Sequence, residues 1–200
     1  MIEESQMTEI TLQWQGPFAF FPEQTLPYLF DQSAAQGRGL YLWTVPTDRG
    51  HQVNYVGVAH GKTRTLGARL AEELMDGVPD SRYIQVVDLD AWRKGYRKVL
   101  HDYGTFDSND HKESLIEMHR FCVGFLAQID ADREIIEHCE RCLIMRLAAE
   151  YDDGDDYDAY LSNKARHPNM RDIQVRSYGE DIWGLPNGVL LNKDGIVLEG

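Results

Sequence analysis

Two hundred residues, 42% of them hydrophobic, are enough for one domain with a sizeable buried core. The formal net charge of −13 argues against a chain built mainly to grip nucleic acid, because phosphate binding draws on a basic excess. Three cysteines, Cys122, Cys139 and Cys142, form an odd and sparse set that suits reduced thiols and excludes a disulfide framework. The longest apolar run, around residues 121 to 126, is far too short to span a bilayer, and the acidic start of the chain is unlike a signal peptide. The expectation is a soluble, cytoplasmic protein with no membrane partner.

Residues 8 to 15 alternate Ile10, Leu12 and Trp14 with polar neighbours, which predicts a half-buried strand ended by Gly16-Pro17. An aromatic segment broken by prolines then forms a packed connector into a hairpin. Its first strand, GLYLWTV, places Tyr41, Trp43 and Val45 on one face, and its second, VNYVGVA, places Val53, Tyr55 and Gly57 on one face. Residues 46 to 50 are rich in turn formers and supply a longer hairpin loop. Thr63 or Thr65 caps the next helix, where Leu66, Leu70 and Leu74 recur at helical spacing and Arg69, Glu72 and Glu73 lie off that stripe. YIQVVDL reads as a strand, Asp90 as the cap of a helix carrying Trp92, Tyr96, Val99 and Leu100, and residues 110 to 119 as a helical turn or two.

FCVGFLAQI reads as a buried strand, and Asp130 or Asp132 starts the strongest helix of the chain. Its apolar stripe is Ile136, Leu143, Ile144 and Leu147, with Glu140 between them. A carboxylate turned toward a core is costly unless paired, metal-bound or open to solvent. An acidic loop follows, with five aspartates between Asp152 and Asp158, then a basic stretch, a strand DIQVRSYG and a terminal hairpin turning at residues 192 to 195. No internal repeat or linker divides the chain. Residues 1–200 form a single domain, with a core at about 37–166 and the strand at 8–15 and the strands at 171–199 as elaborations.

Gly39-Leu40-Tyr41, Tyr55-Val56-Gly57, Arg69 in LGARL, Glu140 in ERCLI and Asn163 in LSNKAR stand in an order that resembles the GIY-YIG nuclease family. The resemblance implies an α/β (α+β) fold, a small mixed or antiparallel sheet flanked by helices. It also implies a metal-dependent endonuclease that hydrolyses phosphodiester bonds in DNA, with RNA not excluded. One Mg²⁺ (or Mn²⁺) on Glu140 would polarise the phosphate and stabilise the leaving oxygen. Arg69 would neutralise charge developing on phosphorus. Tyr41 would act as base or orient the attacking water, Tyr55 would position water or phosphate, and Asn163 would contact phosphate or support the ligand. A free tyrosine has a pKa near 10, so a tyrosine base needs a metal or cation beside it.

The chain departs from the family pattern at three places. Arg69 lies further beyond Tyr55 than the family arginine commonly does, so Arg64 competes for its role. Glu73 stands where many members carry a histidine one turn beyond that arginine. The separation from Glu140 to Asn163 is long. Lys62, Arg64, Lys164 and Arg166 are the candidate substrate-binding cations, giving a local basic surface on an acidic molecule whose bulk discourages loose binding. That balance leaves room for a targeting protein partner. Two rival readings stand beside the first: a catalytically weak or inactive binding or regulatory module, and a hydrolase or transferase acting on a small phosphorylated substrate. Cys139-x-x-Cys142 with His138 and Cys122 reads as small apolar packing and not a zinc site, since no second pair accompanies it.

Overall fold

A computed structural model describes residues 8–61, 63–76, 119–151 and 173–198, with Asp90, Glu117, Leu161 and Ala165 singly. The chain is mixed α+β, and the described residues form two sheets and few helices. Strand β1 (Thr8–Gln13) runs into β2 (Gln15–Ala19), and two short 3₁₀ turns, Leu29–Asp31 and Ser33–Gln36, lead to the hairpin of β3 (Gly39–Thr47) and β4 (Gly50–Ala59). Helix α1 (Leu66–Asp76), strand β5 (Val123–Gln128), helix α2 (Arg133–Tyr151) and strands β6 (Ile173–Tyr178), β7 (Ile182–Trp183) and β8 (Val189–Leu191) follow. The strand and helix expected between residues 81 and 100 lie outside the described residues, although Asp90 itself is helical.

The larger sheet has the order β2-β5-β3-β4-β7, which puts β3 at its centre. β3 pairs antiparallel with β4 on one side and β5 on the other. Its aromatic and β-branched residues suit that place: every residue from Gly39 to Val45 is buried, so both faces of the strand are covered. The smaller sheet has the order β1-β6-β8 and joins the two ends of the chain. β1 and β6 run parallel, and Trp14 at the end of β1 donates its indole N–H to Ser177 Oγ at 2.9 Å. The strands expected as elaborations at 8–15 and 171–199 thus pair with one another. Buried residues of both sheets and both helices form one continuous cluster.

Three local expectations change. Gly16-Pro17 does not end the first strand: the chain breaks at Trp14 and resumes as β2, which tolerates Pro17 because it lies at the edge of its sheet. The hairpin loop is shorter than residues 46 to 50, since β3 reaches Thr47 and β4 starts at Gly50. Val53 does not share a face with Tyr55, because Trp43 pairs with Tyr55 but the next residue, Thr44, pairs with Val53. Asn54 is the extra residue of a bulge, and it reverses the alternation.

α1 and α2 each start at a side-chain cap. The Ala68 N–H donates to Thr65 Oγ1 at 3.1 Å, and the Ile135 N–H to Asp132 Oδ1 at 3.1 Å. Leu66 and Leu70 of α1 are fully buried, and the Leu66 N–H donates to Gly37 O at 2.8 Å, which ties the helix to the chain entering β3. α2 buries Ile136, Cys139, Leu143, Ile144 and Leu147. Among the described residues no helix is long and apolar enough to cross a membrane.

Candidate functional site

The hairpin register brings the tyrosines together. Tyr41 stands opposite Gly57 and Trp43 opposite Tyr55, and directly opposed residues project from the same face of a sheet. The Tyr41 and Tyr55 rings are 6.2 Å apart at 30°. Gly57 makes this possible, since a Cβ there would run into the Tyr41 ring and hydroxyl. Tyr41 is fully buried and Tyr55 half-buried.

Helix α1 lays two charges against this face. The Tyr41 hydroxyl donates to Glu73 Oε1 at 2.6 Å, and Arg69 Nη2 reaches the same oxygen at 2.6 Å. The Glu73 side chain is only 9% exposed. Its Oε2 is buried with no hydrogen-bond partner among the described residues, and the same holds for Trp43 Nε1. Burial pushes the Glu73 carboxyl above its usual range, against the pull of Arg69, of the Tyr41 hydrogen bond and of Arg64. Burial drives the Tyr41 hydroxyl well above its ordinary value, and the charge of Glu73 and the neighbouring Tyr55 add to that. Burial works against the Arg69 charge, but Glu73 and the two tyrosines more than offset it, so the guanidinium is held charged.

Glu73 was expected off the apolar stripe of α1, and the structure turns it inward. The signal was present in the spacing. Counted from Leu66, the inward face of a helix takes i+3, i+4, i+7 and i+8, which here are Arg69, Leu70, Glu73 and Leu74. Two opposite charges one turn apart on that face mark a buried pair that meets a polar group on the sheet.

Arg64 pairs with Glu72, whose carboxylate also lies 3.8 Å from Arg69 Nη1. Arg64 further lines a cavity of about 430 Å³ with Arg38, Thr63, Thr65 and Gln128, beside the capped end of α1. Arg38 there is 3.4 Å from Asp130. Arg69 thus takes the place inside the tyrosine cluster, and Arg64 stands at its rim.

Glu140 is half-buried on α2, flanking the buried stripe where Cys139 points inward. The charges acting most strongly on Tyr41, Arg69 and Glu73 come from one another, Tyr55 and Arg64, all on β3, β4 or the chain from Arg64 through α1. Lys62, Asn163, Lys164 and Arg166 lie outside the described residues.

α2 does reach the hairpin at its far end. The Val53 N–H, at the bulge, donates to the Tyr151 hydroxyl at 2.9 Å, and that hydroxyl donates to Trp183 O at 3.0 Å. The helix carrying Glu140 therefore pins the bulge beside Tyr55.

Among the described residues no three His, Cys, Asp or Glu side chains gather as a metal cage. Mg²⁺ does not need one, since one or two carboxylates with water and substrate phosphate complete its shell. The donors fit such a hard cation: Glu140 is a partly open carboxylate, and the three thiols are buried. Burial raises Cys122 and Cys142 to about 12 and Cys139 higher still, so the soft donors stay protonated. Compared with protein-family models, with curated proteins and with solved structures, the chain has no match.

Proposed function

We propose that the chain is a divalent-metal-dependent endonuclease that hydrolyses phosphodiester bonds in DNA. The observation that supports this reading is the convergence of Tyr41, Tyr55 and Arg69 on one sheet face, where α1 holds the guanidinium charged beside both rings. A charged planar donor fixed in a poorly solvated place suits the charge that develops on a phosphoryl group under attack. Tyr55, the less buried of the two tyrosines, orients water or phosphate, and Arg64 at the rim of the tyrosine cluster meets the neighbouring phosphate. Mg²⁺ or Mn²⁺ held by Glu140 would supply Lewis-acid polarisation of the phosphate. The basic residues near the site sit on an acidic molecule, which favours a structured or partner-delivered substrate over loose binding.

The binding-module reading draws on one specific observation. Tyr41 is fully buried with its hydroxyl committed to Glu73, an arrangement that also suits a retained fold without turnover. Incubating the protein with plasmid, structured DNA and RNA in Mg²⁺ or Mn²⁺, beside Glu140→Ala and Arg69→Ala, separates the two. Nicking by the unaltered chain is expected, with Arg69→Ala slower by about 10²–10³-fold, the usual cost of removing one donor to a transition-state charge. Cutting that survives both substitutions would remove these residues from the site. No cutting on any substrate, with retained binding, would leave the module.

A further inference from the structure

Glu73 is the unexplained group on this face. Its carboxylate is nine-tenths buried, one oxygen receives two donors, and the other receives none among the described residues. Stability does not account for it. A buried ion pair usually gains nothing over packed apolar side chains of similar size, and an unmet carboxylate oxygen in a core is a net cost. Trp43 Nε1, on the same face and opposite Tyr55, is a second buried polar atom without a partner among the described residues. What Glu73 does achieve is geometric. Arg69 and Tyr41 are both tied to Oε1 at 2.6 Å, so the guanidinium has one end fixed and its side chain stays one quarter exposed.

We propose that Glu73 is a positioning residue of this site, fixing Arg69 so that it meets a phosphate ester together with Tyr55 while keeping Tyr41 beneath them as a hydrogen-bond donor. This rests on the phosphodiesterase reading above and assigns the two tyrosines different tasks. Tyr55 faces substrate. Tyr41 donates inward and supports the carboxylate, a place that its burial and the charge of Glu73 reinforce by disfavouring the phenolate. Glu73 acts through Arg69, and a mispositioned group of this kind costs up to about 10²-fold in turnover.

The test combines turnover with a spectroscopic readout. Glu73→Gln keeps the shape and can still accept the Tyr41 hydroxyl, but it cannot hold Arg69 by charge. The protein is labelled at tyrosine Cζ, the Tyr41 signal is assigned with Tyr41→Phe, and cleavage of a DNA duplex in Mg²⁺ is followed alongside the NMR spectrum. Expected are a kcat lower by roughly 10–100-fold with KM little changed, a moved Tyr41 signal, and Arg69→Ala costing far less in the Glu73→Gln background than in the unaltered one. Glu73→Asp should recover part of the rate. If Glu73→Gln does not fold, Tyr41→Phe carries the test, because it removes one of the two donors on Oε1 and should lower kcat in the same direction. A folded Glu73→Gln that cuts at the unaltered rate, or an Arg69→Ala effect of equal size in both backgrounds, would overturn the positioning role alone. An unaltered chain that cuts nothing would overturn the phosphodiesterase reading and this role with it.

Discussion

Tyr151 is the most exacting structural test, because one hydroxyl joins three elements. It accepts the Val53 N–H at the bulge of β4 and donates to Trp183 O on β7, while its ring packs on Trp183 at 5.1 Å. Tyr151→Phe leaves the ring in place and removes these two hydrogen bonds. Val53 is fully buried, so its N–H has no water to turn to, and a buried donor left unmet costs about 1–3 kcal/mol. Trp183 is only half-buried, and its carbonyl recovers part of its loss from solvent. A total near ~2 kcal/mol follows. At this chain length each kcal/mol moves the midpoint by roughly 2–4 °C, so a fall of about 4–8 °C is expected in thermal melting, with a matching drop in urea midpoint. Hydrogen exchange gives the specific signature: the Val53 amide should lose protection more than its neighbours in β4. A shift under about 1 °C, or unchanged protection at Val53, would refute the view that this hydroxyl holds the bulge.

Burial raises the Glu73 carboxyl in the folded state above its reference of 4.5, so its contribution to stability is complete below that pH and is lost as pH rises through the raised value. The melting temperature of Glu73→Gln minus that of the unaltered protein should therefore increase from below pH 4.5 to neutrality, and a difference independent of pH would contradict it. Gly57→Ala drives a methyl group into the Tyr41 ring and should cost about 1–3 kcal/mol, with a disturbed near-ultraviolet tyrosine spectrum; an unperturbed spectrum would show that the ring lies elsewhere. The three thiols, buried and held protonated at neutral pH, should react with a thiol reagent only after unfolding, and prompt reaction of any one in the native protein would count against its placement.

What was legible in the sequence follows the range of the physical signals. The hairpin, α1, β5 and α2 announce themselves by alternation or helical spacing within a few residues, and the capping residues Thr65 and Asp132 mark two helix starts. The pairing of β1 with β6 has no local signature, because it joins segments more than 160 residues apart and only tertiary packing selects it. β7, two residues long, is too short to carry any period. The bulge at Asn54 was hidden for a different reason: strict alternation is the rule used to assign faces, and one inserted residue inverts it without changing composition. In the site, the tyrosines and Arg69 could be placed from the strand and helix they occupy. Glu73 lies off the stripe of Leu66, Leu70 and Leu74, yet its spacing of seven from Leu66 puts it on the inward face.

The inward turn of Glu73 also changes how the hairpin and α2 divide the work. Three polar side chains, Tyr41, Arg69 and Glu73, occupy ground beneath α1 that apolar residues would fill at lower cost in desolvation. Their mutual distances are set by rigid elements: β3 at the centre of its sheet, and α1 hydrogen-bonded at its first residue to the chain entering β3. Tyr55 is placed by a different constraint, the bulge that Tyr151 holds from α2. The more exposed tyrosine therefore depends on the same helix that carries Glu140, while the buried trio depends on β3 and α1. If Tyr55 and Glu140 serve one phosphate, loosening the bulge moves Tyr55 relative to Glu140. Tyr151→Phe should then lower turnover beyond what its loss of stability explains, with the Tyr41 signal unchanged because Glu73 still holds that hydroxyl. An effect on turnover that disappears when the assay is run well below the melting transition would assign Tyr151 to stability only.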